Sequence, residues 1–197
     1  MDDSHLQVVL IRPGETQFDQ EGRIQGTLDV PLLRSGTSEL AETAEKLQNV
    51  GIDTIYCSPC TSAVESATAV AEALDIKYKT LDKLQNINFG LWQGLQVEEV
   101  KRKQPKVYKQ WVEHPETICP PEGETISSAQ ERVANSLGKL LKKHKKGAIG
   151  LVVPEPLASV VRSYLTRTEL SEVWQNGGEG ESWLAIDVEP GTLIAAG

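Results

Sequence analysis

The sequence predicts an α/β fold, a three-layer αβα sandwich around a mostly parallel central sheet. Two observations predict it. Short apolar runs rich in β-branched residues alternate along the chain with longer stretches whose apolar residues recur at helical spacing. No Gly/Ser linker, low-complexity tract or internal repeat interrupts the alternation, so residues 1–197 read as a single domain.

The first run, Leu6–Ile11, leads into the turn formers Pro13-Gly14. Leu40, Ala41, Ala44 and Leu47 fall on one helical face, and Gly51 is placed to close that helix. Asp53–Cys57 reads as a second strand. Ala63, Val64, Ala67, Val70, Ala71 and Leu74 mark the next helix. Ile126, Ala129, Val133, Leu137, Leu140 and Leu141 line a longer one, with Ser128 and Glu131 spaced as a capping box near its start. Its lysine-dense end, Lys139–Lys146, suits a helix C-terminus and reads as a solvated face. Ile149–Val153 is another buried strand. Leu157, Val160, Val161, Tyr164 and Leu165 give the following helix, with Pro156 as a first-turn proline. Ser182–Val188 alternates less cleanly and is read as a further strand.

Composition narrows the function classes. The 197 residues carry 20 basic and 28 acidic side chains, a formal charge of −8, with 39% hydrophobic and 24% charged residues. That balance belongs to an ordered globular protein able to bury a core without staples. An acidic total argues against nucleic acid or an anionic membrane as partner, since both require a cationic surface. Lys101-Arg102-Lys103 with Lys106 and Lys109, beside Tyr108 and Trp111, therefore reads as a solvated helix. No stretch approaches bilayer length, Met1-Asp2-Asp3-Ser4 lacks the features of a signal peptide, and three cysteines do not make a disulfide framework. A cytoplasmic, reducing setting is expected. Only His5, His114 and His144 are available to chemistry that consumes histidine.

In a parallel α/β sheet, ligands bind beyond the carboxyl ends of the strands. Three strands here end in Arg12-Pro13-Gly14-Glu15-Thr16, Cys57-Ser58-Pro59-Cys60 and Pro154-Glu155-Pro156. Together with Arg23-Ile24-Gln25-Gly26, Asp29, Pro31-Leu32, Gly36, Phe89-Gly90-Leu91-Trp92-Gln93-Gly94, Gly123-Glu124-Thr125 and Arg132, these segments resemble the histidine phosphatase superfamily, the phosphoglycerate mutase-like proteins. The likeness runs over nearly the whole chain. It implies a two-step phosphoryl transfer in which a neutral imidazole attacks phosphorus, cationic groups clamp the oxygens and a carboxylic acid protonates the leaving group.

Residue by residue, the site that the resemblance implies is degenerate. The signature arginine is kept as Arg12, but the nucleophilic histidine position holds Pro13, which has no nucleophile. The asparagine near the phosphate falls on Asp19, the second arginine on Ser62, the acid on Asn86 and the second histidine on Glu155. Arg12 is expected to form a structural ion pair with Glu155 or Asp19, and a vestigial pocket of Arg12, Asp19, Ser62 and Glu155 to repel phosphate. The sequence thus points to a catalytically inactive, pseudoenzyme member with a binding or regulatory role toward a protein or small-molecule partner. No metal or other cofactor is expected, because Glu155 and Asp19 lack a histidine companion. Two alternatives stand beside this reading. One is weak residual phosphatase activity. The other is thiol–disulfide exchange at Cys57 and Cys60, a Cys-x-x-Cys opening a helix, where the helix N-terminus lowers a thiol pKa.

Overall fold

A computed structural model of the chain describes residues 5–174 and 182–188. Met1–Ser4, read above for a leader, lie outside them. The chain runs through β1 (Leu6–Ile11), α1 (Gln17–Gln20), α2 (Arg34–Leu47), β2 (Ile52–Cys57), α3 (Thr61–Leu74) and β3 (Lys77–Thr80). It continues through α4 (Val97–Lys103), α5 (Pro105–Glu113), α6 (Ile126–Lys143), β4 (Gly147–Val152), α7 (Leu157–Thr166), α8 (Leu170–Trp174) and β5 (Trp183–Val188). The strands lie in the order β3-β2-β4-β1-β5. β1, β4, β2 and β3 are parallel, and β5 runs antiparallel beside β1. The α/β sandwich expected from the alternation is the fold observed, with one antiparallel edge.

Period-two geometry sorts β1 between two cores. Leu6, Val8 and Leu10 share a cluster with Val133 and Leu137 of α6 and Val161 of α7. Val9 and Ile11, one residue out of step, share another with Leu40 of α2 and Ala67 of α3. Helices therefore cover both faces, which is why residues 8–11 of β1, residues 55–57 of β2 and most of β4 read as continuous apolar runs rather than alternating ones.

Local chemistry differs from expectation at four places, one being Pro156, which is the N-cap of α7 rather than a residue of its first turn. Thr125, not Ser128, caps α6: its hydroxyl accepts the Ser128 N–H at 3.1 Å from an extended backbone conformation. Ser128 is thus the capped residue, and the spacing to Glu131 carries no box. Gly51 does not terminate α2 directly. The C-cap is Gln48, and Gly51 follows a turn, at φ +75°, to swing the chain into β2. The lysine-rich stretch after residue 96 is two helices, because Pro105 opens α5 at a break centred on Gln104. Of its cations, Lys101, Lys103 and Lys109 sit in exposed ion pairs with Glu98, Glu99 and Glu113, as a solvated surface would have them.

Candidate functional site

The carboxyl ends of β1, β2 and β4 open on one crevice of about 740 Å³, and it gathers Arg12, Pro13, Asp19, Ser62 and Glu155 along its lining. Asn86 is not part of that lining. Its amide donates to the Glu155 carbonyl at 3.0 Å while its oxygen accepts the Ile87 N–H at 2.9 Å, so it props the backbone that carries Glu155.

The loop after β1 is fixed by its small residues. The Gly14 N–H donates to the Ser66 hydroxyl of α3 at 3.0 Å, and Ser66 donates in turn to the Ser62 carbonyl at 2.6 Å. Gly14 also lies against α2, where a Cβ would come within 2.6 Å of the Gly36 carbonyl oxygen. Pro13 is held between this anchored glycine and Arg12, whose own N–H donates to Ser182 at 2.9 Å. Nothing at position 13 can attack phosphorus.

The expected ion pair of Arg12 is not formed with either named carboxylate. Among the described residues, the ion pairs within 4.0 Å include neither Arg12 with Asp19 nor Arg12 with Glu155. Arg12 is exposed rather than buried, so its guanidinium does not depend on them. Both carboxylates have local work. Asp19 accepts the Thr16 N–H at 2.8 Å and the Thr16 hydroxyl at 2.6 Å, while Thr16 accepts the Asp19 N–H, a capping box that starts α1. Glu155 accepts the Ser159 hydroxyl at 2.8 Å and the Ser159 N–H at 3.2 Å, at the start of α7. Burial pushes the Glu155 carboxyl up from the usual range, opposed by those hydrogen bonds and by the fields of Arg12 and Arg162. A raised carboxyl retains its proton more readily, which softens the negative charge first ascribed to it.

The redox alternative fares poorly. Cys57 and Cys60 are buried free thiols at 0% and 6% exposure, packed in the core cluster of α2 and α3. Burial pushes both thiols up, Cys60 at the N-cap of α3 included, so the helix terminus does not prevail over desolvation. A thiol for disulfide exchange needs access and a depressed pKa.

Some of the crevice lining was quoted from the sequence only within a motif, or not at all, and was given no role. Arg23 lines it, donating to the Gly94 carbonyl at 2.7 Å and paired with Glu21. Glu15 and Glu39 line it too. Its far wall is aromatic: Trp111 is ringed edge-on by Phe89, Trp92, Tyr108 and Trp174 at centroid separations of 5.6 to 6.5 Å. The Tyr108–Trp111 spacing on one helical face was the available signal. Among the described residues, no three His, Cys, Asp or Glu side chains gather as metal ligands would. No helix among them is long and apolar enough to cross a membrane.

A sheet that runs its first strand into Arg12, with a crevice at the ends of β1, β2 and β4, defines a phosphoglycerate mutase-like α/β protein. The chain belongs to the histidine phosphatase superfamily (branch 1), whose family model matches residues 8–195. It is 29% identical over 184 residues to phosphoserine phosphatase 1 of Hydrogenobacter thermophilus, spanning 93% of this chain and 87% of that one. To the probable phosphoglycerate mutase GpmB of Salmonella arizonae it is 28% identical over 137 residues, spanning 70% of this chain and 64% of that one. In fold it is similar to Bacillus stearothermophilus YhfR, at TM-score 0.85, 24% identity and coverage of 97% and 95% of the two chains. An Entamoeba histolytica phosphoserine phosphatase in complex with 3-phosphoglyceric acid superposes at TM-score 0.79, with 25% identity and coverage of 91% and 89%.

Proposed function

We propose that this chain has lost phosphohistidine-based transfer and that its crevice serves binding, in a ligand-holding or regulatory role. The observation that carries the proposal is Pro13 in the crevice with no histidine to replace it. The three histidines of the chain lie elsewhere: His5 precedes β1, His114 follows α5, and His144 ends α6 with its Nε2 2.8 Å from the Tyr56 hydroxyl. The charges on the crevice lining support the same reading. Arg12 and Arg23 stand against Glu15, Asp19 and Glu39, with Glu155 adding to the acidic side whenever it is ionised, a balance that opposes a phosphate dianion where a phosphoryl-transfer site must attract one. The aromatic wall suits an organic body, and the Trp111 indole N–H is a buried donor without a partner among the described residues.

Two of the relatives above are named phosphoserine phosphatases and one a probable phosphoglycerate mutase, and one feature favours a second reading, a weak hydrolase. Glu155 holds its proton above the ordinary carboxylate range in a crevice that still contains Arg12. Phosphate release from phosphoserine and from para-nitrophenyl phosphate separates the two. The binding reading predicts release at the solvent background for the natural chain and for Arg12→Ala alike. Turnover that Arg12→Ala abolishes would overturn it in favour of the hydrolase.

A further inference from the structure

A second concavity shares no lining residue with the crevice. It is a groove of about 840 Å³ between β3 and α6. Its lysines are Lys79, Lys83, Lys139 and Lys143, against one acidic residue, Glu131. In a chain with 28 acidic and 20 basic residues, that local balance is the reverse of the whole. Among the described residues, none of these four lysines takes part in an ion pair within 4.0 Å, whereas Lys101, Lys103 and Lys109 of α4 and α5 all do.

The groove follows from how α6 is patterned. Its apolar residues Ile126, Ala129, Val133, Leu137 and Leu140 face the core. Beside them runs a polar stripe, Ser128, Asn135, Ser136, Lys139 and Lys143, at helical spacing along the groove wall. The opposite wall is the short, exposed edge strand β3, whose Lys79 pairs in register with Tyr56. Two fixed contacts hold the walls apart. At one end Tyr56 is hydrogen-bonded to His144 at 2.8 Å, tying β2 to the end of α6. At the other, Arg132 is bidentate to Glu124 at 2.6 and 3.1 Å and donates to the carbonyls of Lys83, Gln85 and Asn86. The Arg132 charge is thereby matched, and the segment carrying Lys83 is pinned. The ammonium groups are left as the unmatched charge, with hydroxyl and amide donors of the α6 stripe between them.

We propose that this groove is a binding site for a compact polyanion bearing phosphoryl groups, separate from the crevice and independent of the function assigned to it. A concave wall focuses the field of several like charges, and a small ligand can meet them at once where an extended polyanion such as nucleic acid is repelled by the rest of the surface. Inorganic tripolyphosphate is the probe, titrated calorimetrically into the full chain at low and then at high salt. The expected result is one site per chain, weakened by salt, with Lys79→Gln/Lys139→Gln/Lys143→Gln lowering the affinity at least tenfold and Arg12→Ala leaving it unchanged. Lys142→Gln/Lys145→Gln, lysines at the same helix end but outside the groove, should change it less than threefold. Absence of binding at millimolar tripolyphosphate, an equal loss in the two lysine variants, or a loss in Arg12→Ala instead would each overturn the proposal. So would binding of an oligoglutamate peptide where tripolyphosphate fails. Circular dichroism of each variant confirms that the fold is retained.

Discussion

Glu155 shows how one residue's environment sets a measurable property. Burial raises its carboxyl above the reference value of 4.5, so between that value and its folded value the native state binds more protons than the unfolded chain. Stability contributed by this residue is therefore present at low pH and falls as pH rises through that window. Glu155→Gln keeps an acceptor for Ser159 and removes the cost. It should raise the unfolding midpoint by a few degrees at pH 7 and lose that advantage near pH 4; equal midpoints at both pH values would contradict the assigned cause. The cysteines give a second test at this scale. With Cys119 exposed and Cys57 and Cys60 buried, Ellman's reagent should label one thiol rapidly and two only on unfolding. A rapid, reversible disulfide between Cys57 and Cys60 would revive the redox reading. Pro13, Asp19, Ser62 and Glu155 were picked out in the sequence through motif register, but their bonding was not legible. Asp19 was assigned to Arg12 because both carry charge, whereas an acceptor three residues from Thr16 is satisfied first by the local amide and hydroxyl.

At the scale of elements, apolar periodicity made β1, β2, β4 and the cores of α2, α3, α6 and α7 legible, because each must hide one or both faces. β3 was not foreseen: Lys-Tyr-Lys-Thr has no buried face, every residue is exposed, and only pairing to β2 makes it a strand. The α6 cap, though not its first residue Ile126, was misplaced by three residues because Ser-x-x-Glu and Thr-x-x-Ser offer competing caps, and Thr125 is the one with extended backbone. Thr125→Ala should cost about 1 kcal/mol in chemical denaturation, and Ser128→Ala much less. The loop after β1 depends on a close approach rather than on side chains. Gly14→Ala drives a methyl into the Gly36 carbonyl and should destabilise by roughly 1–3 kcal/mol, well beyond the few tenths expected of an exposed substitution. An unchanged midpoint for Gly14→Ala would mean that the approach to α2 is looser than described.

Over the whole molecule, the net charge of −8 conceals a division of labour. Four acidic residues and two arginines line the crevice at the ends of β1, β2 and β4, while lysines collect in a separate groove between β3 and α6. The fold is that of the superfamily, and the position that the resemblance assigns to its nucleophile is Pro13. The central claim is that no residue of this crevice takes up a phosphoryl group. Intact-mass spectrometry of the protein after incubation with excess phosphoserine or para-nitrophenyl phosphate, quenched without acid to preserve phosphohistidine, tests it most directly. The mass should remain that of the unmodified chain at every time point; a species heavier by one phosphoryl group, lost in Arg12→Ala, would contradict the account.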